Sequence, residues 1–184
     1  MAPVFEAPRS SNLVIGKHVP WNAMWSGEEA GGYEIRPCRS VNGRLAVWQR
    51  HAPSKGTPIF AKPHMVRQRR SIAEMRCTVC GECTPANDRW WFGLGRFQDG
   101  WFMTTEAPVH HACALHSEKV CPHLRALGAQ LRRFPEGHSI LQALVGGPKV
   151  AEDFGLEIDP ARPVIGNLKI AWPEDAAQIR RRHL

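Results

Sequence analysis

The sequence has no apolar run of the roughly 18–20 residues that a membrane-spanning helix needs. Residues 1–11 carry a glutamate and two prolines and lack the apolar centre of a secretory signal. Internal repeats and low-complexity segments are also absent, and tyrosine occurs only once. We therefore expect a cytoplasmic protein with reduced cysteines and no membrane partner.

The composition is that of a globular protein. Apolar residues make up 43% of the 184 residues and charged residues 22%, a balance that argues against disorder. Glycine and proline number 16 and 15, which predicts short elements and many turns. We expect the fold class α+β, with a β-rich N-terminal extension over residues 1–61, a core over 62–134 and a C-terminal extension of mixed helix and strand over 135–184.

Two dipeptides mark predicted β-hairpins. Asn-Gly at 42–43 and Asp-Gly at 99–100 are typical of two-residue hairpin turns, because these residues tolerate a positive φ. The predicted hairpins pair residues 33–36 with 44–50 and residues 89–95 with 101–105.

A helix is predicted over residues 64–76, because apolar residues recur there at helical spacing. Arg69 falls within the apolar arc of this helix, so we expect it to pack against the core as well. Further elements are predicted as helices over 111–120, from Pro122 to about 134 and over 139–145, and as a strand over 164–172.

Five of the six cysteines lie within 45 residues, and two spaced pairs point to a metal site. The first pair is Cys77-x2-Cys80, followed by Gly81, and the second is His110-x2-Cys113. A tight turn aims the first two thiolates at one point, and the first turn of a helix aims the second pair at the same point. Four such ligands in a tetrahedron close a structural zinc site, so Zn²⁺ is the predicted cofactor.

Residues 77–121 resemble the treble-clef zinc fingers, a group that includes LIM-type modules and HNH nucleases. The resemblance rests on the Cys-x2-Cys-Gly turn, the intervening hairpin and His-x2-Cys at a helix start. It implies a small zinc core that serves either nucleic-acid binding or protein interaction, because a fold does not fix its function.

Other ligand sets remain open on the sequence alone. His111 or Cys121 can take the place of His110 as the fourth ligand. Cys77-x2-Cys80-x2-Cys83 with a distal Cys121 also has ferredoxin-like spacing, which would suit an iron–sulfur cluster. Free thiols without a metal, or disulfides, are the remaining readings. The isolated Cys38 is predicted to be a core thiol.

The net charge of +7 favours an acidic partner, and 18 of the 24 basic residues are arginines, which suit phosphates and base edges. The densest basic stretch is the predicted helix over 64–76, which alternatively is a solvated face with Arg70 paired to Glu74. The residues predicted to contact nucleic acid are Lys62, Arg67, Arg69, Arg70, Arg76, Arg125, Arg132, Arg133, Arg180, Arg181 and Arg182.

The leading hypothesis is a non-enzymatic zinc protein that binds nucleic acid, duplex DNA above all, as a regulator or accessory factor. The first alternative is a zinc-stabilised protein-interaction module, with Trp90 or Trp91 as an exposed anchor. The second is an HNH-like metal-dependent nuclease that would use His111 and His116. The nuclease is disfavoured because cysteines fill the place that its catalytic metal would occupy.

Overall fold

The structure, a computed structural model, describes residues 10–145, 153–159 and 161–173; the predicted basic tail Arg180–Arg182 lies outside them. The described chain is mixed α+β with three sheets. In chain order its elements are β1 (Ala23–Trp25), α1 (Ser26–Glu29), β2 (Tyr33–Pro37), β3 (Leu45–Gln49), β4 (Pro58–Pro63), α2 (Met65–Ala73), β5 (Trp90–Trp91), β6 (Arg96–Gln98), β7 (Trp101–Thr104), α3 (His111–Val120), α4 (Pro122–Ala126), β8 (Arg132–Arg133), β9 (Ser139–Val145) and β10 (Val164–Pro173). Within the described ranges no helix has the length and apolar character to cross a bilayer.

The long strand β10 organises the largest sheet, whose order is β2-β3-β10-β7-β6 with β9 also paired to β10. β9 runs antiparallel along β10 from Val164 to Ala171 and therefore takes one whole edge. On the opposite edge, β3 runs parallel to β10 and pairs with it at Ile165. β7 runs antiparallel to β10 and pairs with it from Ile170 onward. β3 and β7 thus share an edge and leave a gap between them.

Polar side chains of helix α2 fill this gap. The Gln68 Nε2 donates to the Leu168 carbonyl at 2.8 Å, and the Gln68 Oε1 accepts from the Leu168 N–H at 3.0 Å. The Arg69 guanidinium donates to the carbonyls of Gly166 on β10 and Val47 on β3. Both side chains are buried, and they satisfy backbone groups that would otherwise lack partners where the strands diverge.

An aromatic cluster forms part of the same hydrophobic core that Ile72 of helix α2 enters. Trp91 is 4% exposed, and its ring centroid lies 5.1 Å from that of Trp172 and 5.5 Å from that of Phe134. Phe102 packs edge-on against Trp91 at 5.9 Å. Because Trp91 is enclosed by these rings, the hypothesis that it is an exposed anchor is wrong.

Several predicted elements are confirmed. The first hairpin pairs Tyr33–Pro37 with Leu45–Gln49, although the loop 38–44 joins the strands in place of a two-residue turn. A 3-10 helix over Arg39–Val41 ends in that loop at Asn42, which has a φ of 56°. Asp99 at the second turn has a φ of 51°. The helices that begin at Met65 and His111 and the strand that begins at Val164 also form as expected.

Three predictions about secondary structure are wrong. Ser139–Val145 was predicted as a helix and is a strand. A short apolar run is compatible with a helix or a strand, and here the long pairing with β10 determines the strand. The helix at Pro122 ends at Ala126. The strand predicted over 89–95 is only Trp90–Trp91 and pairs with Arg132–Arg133, while β7 pairs with Arg96–Gln98 instead. Gly93, with a φ of 67°, interrupts that stretch.

Candidate metal centre

The first ligand pair lies in a tight turn between α2 and β5. The Gly81 N–H donates to the Cys77 carbonyl at 2.8 Å, and the Cys77 N–H donates to the Glu82 carbonyl at 2.8 Å. Gly81 has a φ of +84°, and a Cβ at this position would lie 2.7 Å from the Trp21 ring. Only glycine therefore fits both the backbone conformation and the close contact with Trp21.

Cys77 is the innermost ligand, with a fully buried side chain. Burial raises the pKa of its thiol, whereas hydrogen bonds from the backbone N–H groups of Cys80, His110 and Val79 lower that pKa. The pKa of Cys113 is raised by burial and then by the neighbouring Cys77 and Cys80. Thiolates this close together would repel one another, and a cation bound between them would offset that repulsion.

His110 stands at the N-cap of α3 and has two distinct ring contacts. Its Nε2 lies 3.1 Å from the Cys83 carbonyl oxygen, which can only accept, so Nε2 carries the proton. Its Nδ1 lies 3.4 Å from the Cys80 Sγ and 4.0 Å from the Cys113 Sγ. The Nδ1 lone pair thus faces the thiols, and a backbone carbonyl holds the other nitrogen, as is usual for metal-bound histidine.

Together, Cys77, Cys80, His110 and Cys113 place their ligand atoms within 4.8 Å of one another. A tetrahedral zinc ion with Zn–S bonds of about 2.3 Å separates its sulfur ligands by about 3.8 Å, so a small contraction seats the ion. The cluster is the one group of this kind among the residues that the structure describes. Three thiols and one imidazole suit zinc, a metal without a strong geometric preference.

The alternative ligands lie outside this cluster. The His111 ring stacks on Trp90 with 4.3 Å between centroids, and its backbone N–H donates to the Asp88 Oδ1 at 3.0 Å. Cys83 is exposed and contributes only its carbonyl, and Cys121 ends helix α3. The ferredoxin-like set is therefore not assembled within the described chain.

An N-terminal segment over residues 14–22 closes around the turn. The Trp21 N–H donates to the Val79 carbonyl at 2.8 Å, and the Asn22 N–H donates to the Thr78 carbonyl at 3.1 Å. From the helix side, the His116 Nε2 donates to the Lys17 carbonyl at 2.7 Å. Residues 14–22 show no helical or strand periodicity, so the sequence did not predict that this segment packs against the metal centre.

The basic residues of the predicted stretch are either buried or paired with acidic side chains. Arg67 and Arg69 are buried, 1% and 0% exposed, so their guanidinium groups are not available to phosphate, and the prediction that they contact nucleic acid is wrong. Lys62 pairs with Glu29 at 2.8 Å. Both Arg70 and Arg76 pair with Glu74. Intramolecular partners thus engage every predicted contact residue of this stretch.

Three further residues predicted to contact nucleic acid, Arg125, Arg132 and Arg133, lie on α4 and β8, and Lys119, which was not predicted, lies near the end of α3. We call Lys119, Arg125, Arg132 and Arg133 the basic face. In the part of the chain that the structure describes, none of the four forms an ion pair. Their hydrogen bonds go to uncharged groups: the Arg125 side chain donates to the Lys119 carbonyl, and the Arg133 side chain donates to the Asn87 carbonyl. Arg133 also lies 4.2 Å from the Trp90 ring centroid, so Trp90 is covered by Arg133 and His111.

Comparisons of the chain with protein-family models, with curated proteins and with solved structures found no match. The metal centre therefore has to be interpreted from its own residues and geometry.

Proposed function

We propose that this protein is a non-enzymatic zinc module of treble-clef type that binds nucleic acid. The observation that carries the zinc centre is the convergence of four ligand atoms, three Sγ and the His110 Nδ1, within 4.8 Å. Nucleic acid as the partner is argued separately, from the basic face. Zinc bound there would link the turn at Cys77 to helix α3 and, through Trp21, to the N-terminal segment.

The ligand set favours a structural ion over a catalytic one. Catalytic zinc keeps one position open for water or substrate, whereas four protein ligands close the coordination sphere. His111 and His116, the residues that a nuclease would use, are engaged by Trp90 and the Lys17 carbonyl. The nuclease alternative therefore loses support.

The basic face supports nucleic acid as the partner. Its four charges lack ion pairs within the described residues, and they are carried by α3, α4 and β8, of which α3 begins directly after the ligand His110. Phosphate groups would neutralise these charges and release condensed counterions, which makes such binding weaken steeply with salt. The proposed interface keeps Arg125, Arg132 and Arg133 of the predicted contact residues and omits those on and beside helix α2.

Salt titration of binding to generic duplex DNA tests the proposal. Neutralising Arg125 and Arg132 together, R125Q/R132Q, should make the log–log slope less negative by about 1.8, since each lost phosphate contact accounts for about 0.9. The matched control is R70Q/R76Q, which removes two charges already paired to Glu74 and should leave the slope unchanged. Undetectable binding to both duplex and single strands at about 50 mM salt would rule the proposal out.

A protein-interaction module is the second candidate. Leu115, Val120 and Leu127 on α3 and α4 are 41%, 56% and 53% exposed, a larger apolar surface than a purely electrostatic interface needs. Binding through these residues would depend little on salt, and charge removal on the basic face would leave it intact.

A further inference from the structure

Strand β9 (Ser139–Val145) is an open edge of the largest sheet. It pairs with β10 on one side, and no strand in the described ranges pairs with its other side. The sheet has two further edges. β2 carries Glu34, Arg36 and Pro37, and β6 is only three residues long. Charge, proline and short length are the usual means by which natural sheets prevent edge-to-edge pairing.

β9 has none of these protections. Its sequence, Ser-Ile-Leu-Gln-Ala-Leu-Val, contains neither a charged residue nor a proline. Ile140, Leu141 and Leu144 are 43%, 37% and 58% exposed, which is unusual for three aliphatic residues in one strand. A seven-residue neutral apolar edge of this kind is a template for another strand.

The direction of the free backbone groups follows from the pairing with β10. Leu168 lies opposite Gln142, and both the N–H and the carbonyl of Leu168 point away from β9 to the Gln68 side chain. In an antiparallel ladder, a residue opposite such a partner also directs its own N–H and carbonyl outward. Gln142 and, by the two-residue period, Ile140 and Leu144 therefore present three N–H and three carbonyl groups at the open edge.

The outward-pointing backbone groups of Ile140, Gln142 and Leu144 are complementary to the same groups of a second copy. A two-fold axis at Gln142 places Gln142 opposite the same residue of a second chain and places Ile140 opposite Leu144. All three residues on each strand then form hydrogen-bonded pairs, and the exposed Ile140 and Leu144 side chains of the two chains meet on one face, while Leu141 lies on the other. Because β9 is uncharged, this arrangement brings two copies of a +7 chain together without placing like charges opposite each other on the paired strands.

We propose that β9 joins two copies of this chain into a dimer by antiparallel edge pairing centred on Gln142, so that the sheet continues from one chain into the other. The contact is one strand wide and smaller than the standard interface of about 800 Å² per partner, so the dimer is weak and depends on concentration.

Substitution of Gln142, the residue on the proposed two-fold axis, by charged residues tests the geometry of the dimer. Sedimentation analysis of the zinc-loaded full chain should show the monomer at about 5 µM and a species of twice its mass at about 500 µM, the range expected for a small interface. Gln142→Lys and Gln142→Glu each place like charges directly opposite across the axis, so either variant alone should remain monomeric at the high concentration. An equimolar mixture of the two variants should recover the dimer. Arg44, which donates to the Gln142 Oε1, will reduce the repulsion in Q142E, so Q142K is expected to give the larger effect.

The matched control is Phe60→Lys, which adds the same charge at a 64% exposed residue of a different sheet and should dimerise like the unaltered chain. Circular dichroism of each variant checks that the fold is intact. Monomers at every concentration would overturn the proposal, and so would dimers that persist in both Gln142 variants. Recovery only in the mixture supports the axis at Gln142 specifically.

Discussion

Arg67 and Glu28 form a two-pronged ion pair in the protein interior, with both Nη–Oε distances at 2.7 Å and both side chains essentially without solvent exposure. Glu28 also accepts from the backbone N–H groups of Trp25 and Ala52, each at 3.0 Å. One carboxylate thus joins helix α1, the loop after β3 and helix α2. The arginine that the sequence placed at a nucleic-acid surface is instead a structural cross-link.

Replacing Arg67 with alanine should destabilise the fold by about 3–5 kcal/mol, because it leaves the Glu28 carboxylate buried and without its cation. Urea unfolding at neutral pH measures the change in the free energy of unfolding. Arg70→Ala, at an exposed pair with Glu74 on the same helix, is the matched control and should change stability by less than about 1 kcal/mol. Similar losses in both variants would contradict the structural role of Arg67.

The sequence predicted features that depend on local chemistry. The turns at Asn42 and Asp99 follow from positive φ, and the cysteine and histidine spacing gave the four residues that the structure brings together. It predicted that Arg69 packs inward, which is confirmed, but not the partners of Gln68 and Arg69, because these are backbone groups left free by the split between two distant strands of the sheet. β9 was missed for the same reason, since its pairing with β10 spans a long separation in the chain.

His64 should make stability fall as the pH drops. Burial, followed by the nearby Arg67, lowers the pKa of His64 from 6.5 to about 4. Its Nε2 lies 3.0 Å from the Arg50 carbonyl oxygen and therefore donates, and its Nδ1 accepts from the Arg67 N–H, so the neutral ring is the folded form. The unfolded chain takes up this proton near pH 6.5 and the folded chain only near pH 4. Stability is therefore complete above pH 6.5 and declines by about 3 kcal/mol between the two values.

Other titratable and charged groups lie close to His64, so the pH dependence needs a control variant that removes only the titration of His64. Glu28 lies 3.8 Å from its Nε2, His51 stacks edge-on at 5.9 Å, and Arg67 lies one helical turn away. His64→Asn keeps a helix N-cap acceptor but cannot titrate, so its free energy of unfolding should vary less between pH 6.5 and 4 than that of the unaltered chain. Parallel pH profiles for the two proteins would show that other groups govern the acid response.

The protein should not cleave DNA. Four protein ligands close the metal site, and the His116 Nε2 is held by the Lys17 carbonyl, so neither a free metal position nor a free base is offered at this centre. Supercoiled plasmid incubated with the purified protein and Mg²⁺ or Mn²⁺ should remain supercoiled. Nicking that disappears in a folded His111→Ala variant would instead support the nuclease alternative.

The purified protein should contain about one zinc ion per chain, with Zn–S distances of about 2.3 Å by X-ray absorption. Cys77→Ser should lose the metal and unfold the centre, since metal binding and folding share their free energy at such sites. Chelation should also release residues 14–22, because the Trp21 N–H bonds the Val79 carbonyl inside the turn. Hydrogen exchange of that segment before and after chelation measures this coupling.

Matched variants separate the ligands from their neighbours in the sequence. His110→Ala should lower zinc affinity strongly, whereas His111→Ala should retain the metal, because the His110 Nδ1 faces the thiols and the His111 ring lies on Trp90. Cys83→Ser and Cys121→Ser should likewise keep about one zinc per chain, since neither thiol belongs to the cluster. Iron with a visible charge-transfer band, lost on replacing Cys83 or Cys121, would contradict this assignment and point to an iron–sulfur cluster. Because the histidine variants remove the same side chain, as do the cysteine variants, the comparison tests which positions coordinate the metal.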